Sequence, residues 1–156
     1  MFEVKDGART LQFSGKLLGE SSSYRPNSNR WIECRLYRTQ SGSYVLSRIG
    51  VSLIYHGAAC PLVKRYQLQE IKSDLLNEKS VPCEQCYPDK NAKLVFPEKD
   101  RHWAQVTEEP SAILDALYKF DDYGSKYLTY VAQKLLEEAG KNDSNIEKIY
   151  KFEIIP

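Results

Sequence analysis

The chain has 156 residues, 42% of them hydrophobic and 28% charged, with a net charge of +1. That composition fits one ordinary globular domain with a buried core and excludes a disordered or low-complexity chain. No apolar run approaches the roughly 20 residues that span a bilayer, so no membrane partner is expected. The opening MFEVKDGART carries an acid early and lacks the apolar stretch of a signal peptide. Without such a signal, four cysteines point to thiol or metal chemistry before disulfides, and a cytoplasmic location is the simplest expectation.

Charge is spread unevenly. Through Tyr66 there are ten Lys/Arg against four Asp/Glu, a balance of +6; from Gln67 onward there are twelve against seventeen, a balance of −5. Seven of the eight arginines, all but Arg101, fall in the first part. Guanidinium groups suit bidentate recognition of phosphate or carboxylate. The alternative is that the basic and acidic parts neutralise each other within one fold.

The first third of the chain reads as strands. TLQFSGKLLGE is one strand interrupted at Gly15, and SSSYRPNSN is a polar loop. RWIECRLYRT alternates, with Ile32, Cys34 and Leu36 on one face and Trp31, Glu33, Arg35 and Tyr37 on the other. QSGS turns the chain at Gly42, and YVLSRIGVSLIYH returns as a longer strand in which Gly50 marks a bulge or a close backbone approach. LQEIKSDLLNE has Leu68, Ile71, Leu75 and Leu76 at helical spacing, which predicts a short amphipathic helix. KNAKLVFPEKD holds a short strand before Pro97. Two helices follow: EEPSAILDALYKF, capped by Thr107 with Pro110 in its first turn, and YGSKYLTYVAQKLLEEAG, capped by Asp121 or Asp122 and stopped at Gly140. EKIYKFEIIP is predicted to close the chain as a strand.

Between these elements lie two short chelating pairs. IYHGAACPLVKR places His56 and Cys60 four residues apart, and SVPCEQCYP supplies Cys83 and Cys86 as C-x2-C. Structural zinc sites are commonly assembled from two such pairs, because imidazole and thiolate satisfy a tetrahedral ion. Gly57, Ala58 and Ala59 let the first pair curl, while Pro82 and Pro88 stiffen the second. With all four positions filled by protein, one structural zinc is expected, with no open position for water. Two other readings stand beside this one. Cys83 and Cys86 could form a redox pair, although Pro88 argues against the helix such a motif opens. His102 is the alternative fourth ligand. Cys34, sharing a face with Ile32 and Leu36, is expected to be a small core residue.

The order Y-H-x3-C, a basic VKR, an amphipathic segment and then P-C-x2-C-x-P resembles the zinc-binding module of Ada-type DNA methyl-phosphotriester repair proteins. The resemblance covers about Ile54 to Pro88, roughly a fifth of the chain. It implies zinc as the ion and His56, Cys60, Cys83 and Cys86 as its ligands. In that family the first pair is usually C-x3-C and its first cysteine accepts the methyl group, whereas small bacterial proteins of the same type carry Y-H-x3-C. His56 stands at the acceptor position here. Imidazole is a poorer nucleophile toward a phosphotriester methyl than a zinc-bound thiolate, so the resemblance points to the metal site more than to the chemistry. An Ada-like methyl-acceptor enzyme is the alternative that it carries.

The fold class that follows is α+β: an antiparallel sheet in the N-terminal part, a zinc knuckle in the middle and two C-terminal helices packed on the sheet. Residues 1–156 are expected to be a single domain, with 1–56 β-rich, 57–90 a zinc-binding insert and 91–156 mainly helical. There is no H-x-E partnered to the P-C-x2-C, no G-x-S-x-G, no P-loop and no Gly-rich dinucleotide turn. The acidic doublets Glu108–Glu109 and Asp121–Asp122 suit helix N-termini. The functional expectation is therefore a non-catalytic, zinc-stabilised binding protein, a small regulator or inhibitor working through protein–protein contacts. The alternative is nucleic-acid binding, with Trp31, Arg35 and Tyr37 interleaved on an outward strand face. Arg48, Lys64 and Arg65, together with Arg25, Arg30 and Arg38, would then extend the positive field. Against this, Trp31 and Tyr37 could be covered by the helices, with Arg35 in an ion pair.

Overall fold

The computed structural model describes residues 1–152 and 155. β1 (Phe2–Asp6) and β2 (Arg9–Phe13) pair antiparallel, from Phe2 opposite Phe13 to Asp6 opposite Arg9. Gly7 turns this hairpin at φ 60°, a conformation that suits a residue without Cβ. The chain then starts afresh as β3 (Gly15–Ser22), so the interrupted strand expected here is two strands in two different sheets. β4 (Arg30–Thr39) and β5 (Tyr44–Ser52) flank the expected turn at Gly42. β5 does not run on to His56: it ends at Ser52, and after Leu53 β6 (Ile54–His56) begins.

The helix α1 (Pro61–Arg65) comes next, and beyond it LQEIKSDLLNE departs from expectation. It is not an amphipathic helix but β7 (Ile71–Lys72) followed by a 3-10 turn over Ser73–Leu75. Ile71 pairs with Val95 on a neighbouring strand, and Leu75 is 69% exposed, so the helically spaced apolar residues have no common face to bury. β8 (Val81–Pro82) and β9 (Leu94–Pro97) follow, the latter ending at Pro97 as expected.

The remaining elements are β10 (Arg101–Thr107), α2 (Pro110–Leu117), β11 (Lys119–Phe120), β12 (Lys126–Tyr127), α3 (Tyr130–Asn142) and α4 (Ser144–Lys151). Helix α2 begins at Glu109 as N-cap rather than Thr107, whose hydroxyl accepts the Glu109 N–H at 3.1 Å. It stops at Leu117 because the next residues pair as a short hairpin, Lys119 opposite Tyr127. Asp121 organises that hairpin turn by accepting the N–H groups of Tyr123 and Ser125, both at 2.9 Å, and Thr129 caps α3 instead. Gly140 does not end α3 but admits α4, since a Cβ there would lie 3.3 Å from Glu147 Cα. The predicted closing strand is helical through Lys151, and residues 153, 154 and 156 lie outside the described residues. Asp143 starts α4, accepting the N–H groups of Asn145 and Ile146 at 2.9 and 3.1 Å.

These elements form two compact units. One is made of Met1–Ser23, Ile32–Ile49 and His102–Pro156, the other of Tyr24–Trp31 and Gly50–Arg101. The main sheet runs in the order β10-β5-β4-β3. In the first unit, Leu18, Cys34, Leu36, Tyr44 and Leu46 on one sheet face meet buried residues of α2, α3 and α4. This is the expected α+β arrangement, helices packed on a largely antiparallel sheet. β3 and α3 pack closely enough that a Cβ on Gly19 would sit 2.9 Å from the Ala139 backbone nitrogen. On the opposite sheet face, Val4, Phe2, Leu11 and Phe13 of the β1–β2 hairpin pack with Tyr37, Val45 and Ala104. A buried carboxylate, Asp143, joins layers of this unit: it accepts from Arg38 Nη1 at 2.8 Å and from the Tyr44 hydroxyl at 3.1 Å.

The second unit is built differently. Its small sheet runs β7-β9-β6-β8, with β8 parallel to β6 and the other pairs antiparallel. Its buried residues are His56, Cys60, Leu68, Cys83, Pro88 and Val95. Among the described residues of the chain, no helix is long and apolar enough to cross a membrane.

Candidate metal centre

The chelating pairs meet because of strand pairing. β6 lies between β9 and β8, with His56 opposite Phe96 on one side and Tyr55 opposite Pro82 on the other. One step beyond that ladder, the Cys83 N–H donates to the Tyr55 carbonyl at 2.8 Å, which sets Cys83 beside His56. After His56 the small residues turn tightly, and the Cys60 N–H closes the turn on the Gly57 carbonyl at 3.1 Å. Cys60 is the last extended residue before α1, where Pro61 has no N–H to leave unsatisfied. The second pair forms a knuckle: the Tyr87 N–H donates to the Cys83 carbonyl at 3.1 Å, and Tyr87 takes φ 41°.

Backbone N–H groups also point at sulfur. Gln85 N–H donates to Cys83 Sγ and Gly57 N–H to Cys86 Sγ, each at 3.4 Å, and such bonds favour thiolate over thiol. The donor atoms of His56, Cys60, Cys83 and Cys86 all lie within 4.8 Å of one another, with His56 Nδ1 3.3 Å from Cys60 Sγ. Donors bonded to one tetrahedral ion are separated by about 3.5–3.8 Å, given bond lengths near 2.0–2.3 Å. The cluster could therefore hold one metal ion. His56, Cys60 and Cys83 are buried and Cys86 is partly so.

The thiols differ in acidity. Burial pushes Cys83 up, but the backbone N–H bonds from Cys86 and Gln85 and the bonds to the Cys86 and Cys60 side chains outweigh it and hold the group below its ordinary range. Cys86 is raised, first by burial and then by its Cys60 and Cys83 neighbours. A bound dication would deprotonate both outright.

Behind His56 stands a second layer of charge that sequence reasoning missed. His56 Nε2 lies 2.7 Å from Glu98 Oε2. The Arg30 guanidinium grips both oxygens of Glu98, at 2.9 and 2.7 Å from Nη2, and the Ser52 hydroxyl donates to Oε1 at 2.7 Å. Burial would raise the Glu98 carboxyl, yet the hydrogen bonds of Arg30, Ser52 and His56 hold it below the usual carboxylate range. An ionised Glu98 keeps the imidazole proton on Nε2 and leaves the Nδ1 lone pair for the sulfur cluster, the arrangement that orients metal-binding histidines. In the sequence Glu98 is one acid among twenty-one; its only signal is its place just after a strand.

The six residues expected at a nucleic-acid surface are divided between the two units. Trp31, Lys64 and Arg65 belong to the second unit, and Arg35, Tyr37 and Arg48 to the first. Trp31 packs edge-on against Tyr24 at 4.9 Å, and Lys64 and Arg65 occupy the last turn of α1. Arg35 pairs with Glu20 at 3.1 Å. Tyr37 is only 7% exposed, covered by Phe2 and Phe13 of the hairpin and not by the helices. Arg48 lies over the Trp103 ring, 5.2 Å from its centroid. Arg30 is committed to Glu98, Arg38 to Asp143. Cys34 sits in the main core, and burial pushes its thiol up despite the nearby Arg48. His102 lies on β10 in the first unit, outside the cluster. Compared with family models, curated proteins and solved structures, the chain matches none.

Proposed function

We propose that this chain is a non-catalytic, zinc-stabilised binding protein, a small regulator or inhibitor acting through contacts with a protein partner. One observation carries the reading: half of the six buried residues of the second unit are the donors His56, Cys60 and Cys83. Leu68, Pro88 and Val95 are the remainder. Apolar burial stabilises by about 1.5–3 kcal/mol per large side chain, whereas a structural zinc contributes about 10–16 kcal/mol. Magnitude thus favours the metal as the main support of this unit. One nitrogen and three sulfurs suit zinc, and four protein donors leave no position for water or substrate. The motif order supports likeness to the Ada-type zinc module, with His56 in place of the methyl-accepting cysteine; a methyl-acceptor activity lacks its nucleophile at that place.

Metal analysis by mass spectrometry tests the first part, with one zinc per chain expected in reducing buffer. A folded, metal-free protein or a Cys83–Cys86 disulfide would sink it. Affinity purification from native extract, with and without nuclease, tests the second. A nuclease-resistant complex that survives moderate salt is expected.

A second reading, nucleic-acid binding, draws support from the charge of the second unit. Its residues include ten Lys/Arg against seven Asp/Glu, whereas the first unit has twelve against fourteen. Lys64, Arg65 and the exposed Tyr66 follow Cys60, and Tyr87, 77% exposed, follows Cys86. Cations interleaved with aromatic rings are what single strands stack on. Titration of labelled single-stranded DNA and RNA with the wild type and a Lys64→Ala, Arg65→Ala variant separates the readings. Binding that falls steeply with salt and is lost in the variant favours nucleic acid.

A further inference from the structure

The helix-covered face of the main sheet is not covered to its end. Cys34 is the last residue of β4 in the core, and Ile32, two residues earlier on the same strand face, is 36% exposed. On β5, Arg48 lies over Trp103 of β10, itself 37% exposed, with its guanidinium carbon 5.2 Å from the ring centroid. Lys119, exposed at the start of the β11–β12 hairpin, comes two residues after Leu117, which is buried in the same core cluster as Cys34. Among the described residues, neither Arg48 nor Lys119 forms an ion pair, although Arg9, Arg30, Arg35 and Arg38 each have a carboxylate. The carboxylate nearest in sequence on the hairpin, Asp121, is engaged by the N–H groups of its own turn.

A half-buried guanidinium with no counter-charge among the described residues, stacked on an indole and joined by a second cation, is a local site for an anion. The composition matches that of binding hot spots, where Trp and Arg dominate. We propose that this uncovered strip, with Ile32 and Trp103 as floor and Arg48 and Lys119 as its cations, docks a short acidic peptide segment of a protein partner. Carboxylates meet the two cations, and one bulky apolar side chain lies on the indole and Ile32. The inference rests on the protein-contact reading above and names the surface that serves it. A nucleic acid fits less well here, because the first unit carries fourteen acids against twelve bases and offers no long-range field to a polyanion. A short segment meets only the local pair.

The test uses the full-length, metal-loaded chain and a display library of random dodecapeptides. Selected peptides should be enriched in Asp and Glu around one aromatic or leucine residue. A synthetic labelled representative should bind about ten-fold or more weakly to Lys119→Glu and to Arg48→Ala, with metal content and melting temperature of Lys119→Glu unchanged. Selected peptides without acidic enrichment, or acidic peptides whose binding Lys119→Glu leaves untouched, overturn the proposal. A labelled oligothymidylate that competes with the peptide and is lost in Lys119→Glu also overturns it, reassigning the strip to nucleic acid. If a partner from native extract binds Lys119→Glu and Arg48→Ala as well as wild type, this surface is wrong while the protein-contact reading stands.

Discussion

Glu98 spans two residues that lie far apart in the chain, accepting from Arg30 on one side and from the His56 imidazole on the other. Removing it leaves His56 free to rotate and to choose the wrong tautomer. Outer partners of this kind change metal affinity by about 10–100-fold, so Glu98→Ala should weaken metal binding by that factor in competition with a chelating dye. Glu98→Gln keeps an acceptor for Nε2–H and should lose less; equal affinity in both variants and wild type would remove Glu98 from the centre. Cys34→Ala should keep its metal and lose about 1–2 kcal/mol in thermal melts, as a small core truncation. Cys86→Ala should release the metal. At this scale the four candidate ligands were legible because each pair is local, four and three residues apart. Glu98 was not, since its link to His56 spans 42 residues and exists only through the pairing of β6 with β9.

Helix α4 hangs on Asp143, which caps its first turn while accepting from Arg38 and Tyr44 of the sheet. Asp143→Ala should destabilise the first unit by about 3 kcal/mol in urea unfolding, the lower end for breaking a buried pair, because Arg38 keeps some contact with water. Asp143→Asn retains the cap and should lose less; no change in either variant would disprove the link. The same helix explains a misread segment. In EKIYKFEIIP the alternation of apolar residues suggests a strand, but Ile146, Ile149 and Tyr150 lie at helical spacing against the core. The cap that starts this helix lies four residues before Glu147, outside the stretch read as a strand. LQEIKSDLLNE fails in the opposite sense: helical spacing is present, yet Ile71 finds a strand partner and Leu75 finds water. β4 and α3 were legible because each has a long, regular pattern and a core to face.

Across the whole molecule, sequence position and charge do not follow the same division as structure. Residues through Tyr66 carry the excess of base, yet the unit with more base than acid is Tyr24–Trp31 with Gly50–Arg101. Apolar burial is likewise concentrated in one unit, and candidate metal donors in the other. Chelation should therefore act on one unit. With a strong chelator, trypsin is expected to cut between Lys64 and Lys93, while amides of Leu36, Leu46 and Leu135 keep their protection from hydrogen exchange. A chelated protein that resists trypsin across that segment would mean the second unit needs no metal.

The separation of His56 from Glu98 also sets a sequence of events during synthesis. At about 5–20 residues per second, the 42 residues from Gly57 to Glu98 leave the ribosome over about 2–8 s. For that interval the nascent chain displays an imidazole and a thiol whose orienting carboxylate does not yet exist. A metal ion meeting His56 and Cys60 then finds half a site, open to solvent and to rival ligands. Cys83 and Cys86 emerge within the same interval and Glu98 after them, so the four candidate donors and their orienting carboxylate coexist only once β9 has been made.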